Sequence, residues 1–574
     1  MQHEPAQERR SAEGRRTSAV AVSVLLAGAA IAALSLALSG PTAAAVAAPD
    51  GEWHVCPPGP PACSFATLQE AVDAAAPGDL IKVAEGVYTD LHVREGMTQV
   101  VFITESVTIR GGYTTADWGT PDPDAHPVTL DAGGQGRVAL IKRDGNRKVT
   151  VTLDSLWLTN GRATGTDDGG GIYAEYTHLV ITGCQVSGST AGLKGGGVAI
   201  RYSGGAVLKS NEVYSNSAEH GGGVHVHGSV DTLVAANHVY GNRAERQGGG
   251  IHMYSSDRAT VVGNVVHDNV TLIDAGGGIQ VSDCDGSTVA MNQVFANVAD
   301  NYAGGLWIQA GTEGVVVVEN VVHDNRAVRG SAGGIRITHM SNVVLLDNRV
   351  TGNAAGTVGG GLYMAVVPTV TMVGNQFYSN TATRSGGGVY LSASSPFTMV
   401  NNVIADSEAS QGGAGLYLRG TSDGSTAGQL VHNTLADNRH GNGGEAIYVE
   451  QHTTITLTNN LIADHAVGLC AQPGSTNTVT ADHTLFFGND MDTDGITIIS
   501  TDAITGQDPR FVDPDDWDYH IHLSSPAVDA GADVPWLVED IDGDSRPFGD
   551  GYDIGADEAG PAIIHLPLLV RGLP

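Results

Sequence analysis

The chain of 574 residues has little positive charge and little cysteine. Lys and Arg total 29 against 62 Asp and Glu, for a formal net charge of −33. A nucleic-acid binder needs a basic stripe to displace counterions; none is present, which excludes nucleic acid as a partner. Five cysteines are too few for a disulfide-built scaffold, and no Cys/His spacing fits a zinc site. Cys56 and Cys63, close together in a Pro-rich stretch, suit a disulfide in an oxidising compartment. Cys184, Cys284 and Cys470 are isolated and read as free thiols. No long helical pattern interrupts the central part of the chain.

The N-terminus reads as a targeting segment. Arg9, Arg10, Arg15 and Arg16 precede an uncharged, mostly apolar run over residues 19–38, and Ala45-Val46-Ala47 fits a signal cleavage site. The run is also long enough to span a bilayer as an uncleaved anchor. Either reading sends the body of the chain out of the cell, to the cell surface or the extracellular medium.

Glycine is abundant, with 78 residues, and it is periodic. A Gly-rich cluster followed by apolar, any, apolar recurs, with the first apolar residue at Ile172, Val198, Val224, Ile251, Ile279, Leu306, Ile335, Leu362, Val389, Leu416 and Ile447. Successive steps lie between 26 and 31 residues. Each period also carries Asn-x-apolar-x-x-Asn, as in Asn211 to Asn216, Asn237 to Asn242 and Asn264 to Asn269. Cys184 occupies the first Asn position of an earlier copy, and Ser407 and His465 occupy the second position of later ones.

A period near 27 residues accommodates about three short strands and three turns, and stacked periods pair each strand with its equivalent one coil away. The fold class that follows is all-β: a right-handed, single-stranded parallel β-helix of about 13 to 15 coils. Val213, Val239, Val266, Val294, Val322 and Val350 are expected inside it. Thr67-Leu68-Gln69-Glu70 forms a capping box, and Leu68, Ala71, Val72 and Ala75 follow at helical spacing. An N-terminal helical cap over raw strand edges is therefore expected.

Specific residues resemble known families. Residues 65–88 (FATLQEAVDAAAPGDLIKVAEGVY) resemble the N-terminal cap of pectate-lyase-like β-helix surface proteins, and the repeats resemble the right-handed β-helix region family. They also resemble the GGA-I and F-x-x-N repeats of polymorphic outer-membrane proteins. Residues 508–558, with DPRFVDP, YHIHLSSPAVDAGAD and DIDGDSRPFGDGYDIGADE, resemble a choice-of-anchor module, and residues 563–571 (IIHLPLLVR) resemble a sorting or attachment tail. These likenesses imply an exported β-helix divided into a signal peptide (1–47), a cap (48–79), the β-helix (80–485), an acidic module (486–560) and an apolar tail (561–574). They imply little about activity, because such helices host lyases, hydrolases, adhesins and passive stalks.

The position after each Gly-cluster apolar residue points outward. It forms a column whose candidate binding residues are Tyr173, His225, His252, Trp307, Arg336, Tyr363, Tyr390, Tyr417 and Tyr448. Either the column is a face on which sugar rings lie, or it is a structural ladder of stacked side chains. A second outward column runs through Tyr214, Tyr240, His267, Phe295, His323, Thr351 and Tyr378. His225, His227 and His252 are near enough in the repeat to consider a metal. Asp406, Asp437 and Asp464 recur at one place per coil, as a carboxylate pair or as turn residues. Two acidic loops suit calcium: Asp490, Asp492 and Asp494, and Asp540, Asp542 and Asp544. The β-helix lyases use a basic residue, and Arg336 is the only one in the aromatic column; the N-x-D, G-H-G and R-x-K motifs of polygalacturonases are missing. The expected function is a monomeric, non-catalytic surface protein that adheres to a neighbouring cell or binds a glycan. The alternative is a lyase or hydrolase of an acidic polysaccharide.

Overall fold

The computed structural model describes residues 51–560, apart from residues 144, 422–423, 441–443, 474–475 and 496–497. The expected signal segment and the apolar tail lie outside the described residues.

One coil shows how the repeat winds. It runs through strands Val224–His227, Leu233–Ala235, His238–Tyr240 and Arg243–Gln247, then through Gly248, Gly249 and Gly250 into the next coil. Each strand pairs in parallel with its equivalent one coil on, as Val226 with Met253, Val234 with Val261 and Val239 with Val266. The result is a parallel solenoid of about 16 turns, whose four sheets hold 16, 17, 16 and 11 strands among the described residues. The sheets are called here the first to the fourth, in the order of the four strands just named. Parallel pairing persists at Leu485 with Ile504, near residue 505.

The expected three strands per coil are four. The fourth sheet consists mostly of two-residue strands such as Arg326–Ala327 and Thr381–Ala382, each burying one small side chain. Its signal is Asn-x-Ala: Ala218, Ala244, Ala299, Ala327, Ala355 and Ala382 each follow the second Asn of a copy by two positions and are buried. A strand with a single inward residue has no alternation to read.

Inside, Val213, Val239, Val266, Val294, Val322 and Val350 retain 0–1% exposure and stack in register. Two asparagine ladders line the corners. In the first, ten residues from Asn211 to Asn460 are linked amide to amide at 2.9–3.0 Å. Each Asn carbonyl oxygen also accepts the backbone N–H of the previous rung, and each amide donates to a backbone carbonyl, as Asn292 does to Val261. Every buried polar atom of a rung is thereby paired, as a dry interior requires. The Cys184 N–H donates to Asn211 Oδ1, so Cys184 stands at the head of this ladder. A second ladder joins Asn216 to Asn380 and continues through Ser407 and Asn438, next to His465.

The Gly cluster answers two demands. Gly221 adopts φ +63°, a region that costs an L residue about 1–2 kcal/mol. At Gly223 a Cβ would lie 2.7 Å from the Gly250 carbonyl oxygen, so the coil spacing itself excludes a side chain.

At the N-terminal end, Thr67 caps the helix Leu68–Ala74 through a complete capping box. Gln69 exchanges two hydrogen bonds with the backbone of Phe102, in the strand Met97–Ile103. Cys56 and Cys63 form a disulfide, and Cys184, Cys284 and Cys470 are buried thiols. At the other end the chain folds back. Residues 508–559 run down the outside of the solenoid, and Tyr519, Ala556, Val534 and Tyr552 pack against Tyr378, Ala405, Val400 and Val431 of the second and third sheets. The seam is polar and buried: Arg546 pairs with Glu558 at 2.9 Å and lies 2.9 Å from His432, which in turn meets Asn459 at 2.8 Å.

Candidate functional site

The first aromatic column does not offer its rings to solvent. Tyr173, His225, His252, Trp307 and Tyr390 retain only 2–7% exposure, and Arg336, Tyr363, Tyr417 and Tyr448 are half-buried. The segment between the fourth strand and the Gly cluster folds against them: Ala275, Ala303 and Tyr302 pack on Trp307. The ring faces are used on one another. Tyr363, Tyr390, Tyr417 and Tyr448 stack at centroid distances of 5.4, 4.9 and 5.1 Å, close to the ~4.8 Å rise of a coil. Arg336 sits in a cage of Tyr302, Trp307 and Tyr363 rings at 4.5, 5.5 and 5.3 Å. Burial lowers its pKa.

The His225 and His252 rings lie 4.8 Å apart and nearly parallel, so they stack side by side and do not converge on a point. Burial holds both neutral, His252 with a pKa pushed down to about 3. His225 Nδ1, both His252 nitrogens, Gln280 Oε1 and Trp307 Nε1 are buried without a partner among the described residues.

The second column is a continuous stack, Tyr214–Tyr240–His267–Phe295–His323, with spacings of 4.7 to 5.3 Å. Higher on the same sheet it reaches Tyr378, where the returning C-terminal segment closes a pocket of about 230 Å³. Arg349, Gln376 and Tyr378 form its floor, and Trp517, Tyr519, His520 and Asp557 form its wall. Trp517, at φ +62°, lies parallel to Tyr378 at 5.7 Å, and the Arg349 guanidinium lies 5.8 Å from the Tyr378 ring. Tyr519 donates to Asp437 at 3.1 Å, which ties the wall to the third sheet. Asp406, Asp437 and Asp464 each sit in a left-handed turn. Burial raises the pKa of Asp437 and of Asp464.

The family described as right-handed β-helix region matches residues 143–294, 219–363, 249–439 and 387–505. The chain belongs to this family. The parallel solenoid is thus a right-handed β-helix. No curated protein matches the sequence. Among solved structures, the β-helix is similar to a pectate lyase at 10% identity, with 89% of this chain and 97% of that one covered and a TM-score of 0.29. It is also similar to the A-module of a mannuronan C-5 epimerase of Azotobacter vinelandii, at 14% identity, 76% and 93% coverage and a TM-score of 0.31. A surface adhesin of Streptococcus pneumoniae aligns at 12% identity, 77% and 86% coverage and a TM-score of 0.27.

Two groups of three metal-type ligands converge within 4.8 Å among the described residues of this β-helix: Asp482, His483 and Asp502, and His520, Asp542 and Asp557. Neither expected calcium loop gathers its own three carboxylates in this way. Asp540 accepts backbone N–H groups from Asp542, Asp544 and Glu558, which makes it the organiser of a turn. Asp542 reaches across to His520 at 2.6 Å. That hydrogen bond, against the opposing pull of burial, raises the His520 pKa to about 10, while burial raises that of Asp557 to about 6. The pocket joins residues as far apart in sequence as Arg349 and Asp557, and no local motif announces it.

Proposed function

We propose that this β-helix is an exported cell-surface protein that binds a glycan of a neighbouring surface without cleaving it, and that the pocket beside Trp517 is where it does so. The observation that carries the proposal is the pocket's composition. It has the half-buried Trp517 ring, backed by the buried Tyr378, a guanidinium from Arg349, and carboxylates from Asp516, Asp518 and Asp557. An aromatic face packs on the apolar face of a sugar ring, while carboxylates and guanidinium bond its hydroxyls. A pocket of about 230 Å³ lies below the ~300–1,000 Å³ of sites for drug-sized ligands, which favours a single ring or a chain end. The net charge of −33 and the acidic lining favour a neutral glycan over a polyanion. Arg336 is enclosed by three rings and does not line the pocket.

In this reading the helix Leu68–Ala74 caps the N-terminal edge. The segment 1–47 directs export, and the tail attaches the protein to the surface. The β-helix acts as a monomeric rod that carries the pocket. The test is a glycan array probed with the intact chain, alongside an absorbance assay for unsaturated products on acidic polysaccharides. Binding to neutral glycans with no absorbance change supports the reading; a rise in absorbance replaces it with a lyase. Protease shaving of intact cells should release repeat fragments, and recovery from the cytosol alone would refute export.

A further inference from the structure

We propose that His520, Asp542 and Asp557 hold a divalent first-row transition ion of the zinc type, with Asp518 orienting the imidazole from behind. A ring nitrogen of His520, an Asp542 oxygen and an Asp557 oxygen all lie within 4.8 Å of one another, and His520 Nε2 lies 2.6 Å from Asp542. Each is positioned by a separate backbone device. His520 lies on the strand Asp518–Ile521, and Asp518, two residues earlier and so on the same face, places Oδ1 at 2.5 Å from His520 Nδ1. Asp542 projects from the turn that Asp540 closes by accepting two N–H groups at 2.9 and 2.8 Å. Asp557 is held by one oxygen, which accepts the Ile521 N–H at 2.7 Å.

A carboxylate on the far nitrogen of a ligating imidazole is the arrangement that fixes its tautomer and direction at metal sites. Three protein ligands leave coordination positions open, and His520 and Asp557 both line the pocket. An imidazole among the donors favours a first-row ion such as zinc over calcium or magnesium, which take oxygen ligands. The other converging trio lacks this build. His483 is bonded to its own neighbour Asp482, and Asp482 also accepts from Thr501, so one carboxylate serves both.

The inference does not require that the pocket take a sugar, because its test reads the metal alone. The full-length protein, stripped with chelator, is titrated with zinc chloride by calorimetry, and the cobalt form is read by visible absorption. One zinc ion per chain is expected. His520→Gln and Asp542→Asn should each weaken it at least 100-fold, and Asp518→Asn should keep the stoichiometry with about 10–100-fold weaker binding. Asp502→Asn and His252→Gln should leave zinc affinity unchanged. Circular dichroism confirms that each variant is folded. His520→Gln is the decisive one, because Asp557 also holds a backbone N–H and its replacement disturbs the strand. The proposal is overturned by the absence of stoichiometric zinc, by zinc undiminished in His520→Gln and Asp542→Asn, or by zinc lost in His252→Gln instead.

Discussion

A rung of the asparagine ladder is the smallest unit on which the fold depends. Asn292 donates to Val261 O and Asn320 Oδ1 and accepts from Asn264. Asn292→Ala strands the Asn264 N–H, at about 1–3 kcal/mol, and removes one of the donors to the Val261 carbonyl. Asn292→Asp should cost more, because it turns an acceptor toward two acceptors and buries a charge. Urea denaturation should rank the native protein above the alanine variant and the alanine variant above the aspartate variant; an aspartate variant as stable as the native protein would contradict the ladder. His252 sets a pH dependence. Its pKa is about 3 when folded against a reference of 6.5, so above pH 6.5 both states are neutral and its contribution is fully present. As the pH falls from 6.5, the unfolded chain takes up a proton that the folded one refuses, and stability declines by up to about 1.4 kcal/mol per pH unit. His252→Gln should melt with a shallower decline between about pH 6.5 and 4. Buried carboxylates such as Asp553, with a pKa near 7, act in the opposite sense, but they are common to both proteins and cancel in the comparison.

A coil is the next unit, and its independence is testable. Deleting residues 251–278 joins Gly250 to Ile279 and removes one whole period, since Ile251 pairs directly with Ile279. Because each coil contacts only its neighbours, the shortened chain should fold with unchanged β content, and its rod should be about 4.8 Å shorter by small-angle scattering. Aggregation or loss of β signal would contradict the stacking. Much of this element was legible in the sequence. The Gly clusters recur because Gly223 and its equivalents touch the next coil's backbone, and the Asn pairs recur because a ladder rewards identity at every rung. The fourth strand was not legible, since one buried alanine carries no alternation. The aromatic column was read from the pleat as pointing outward, as a sugar face or as a structural ladder. At Trp307 it is covered by Tyr302, a tertiary contact that periodicity does not contain.

At the scale of the whole molecule, the docked C-terminal segment creates the concave pocket beside Trp517. Arg546 joins this segment to the solenoid, lying 2.9 Å from His432, and pairs with Glu558 of its own segment; both side chains are 0% exposed. Arg546→Ala leaves Glu558 buried and unpaired, at about 3–5 kcal/mol. Limited proteolysis should then cut within residues 508–559 while the repeats stay resistant. Ligand should bind in the pocket and not along the self-stacked columns. The most direct measurement is the affinity of one array-identified oligosaccharide for the native protein, Trp517→Ala and Tyr390→Ala, each paired with a melting curve. The account predicts that Trp517→Ala lowers affinity at least tenfold with little change in melting, while Tyr390→Ala lowers the melting temperature and leaves affinity intact. Affinity lost in Tyr390→Ala and kept in Trp517→Ala would contradict it.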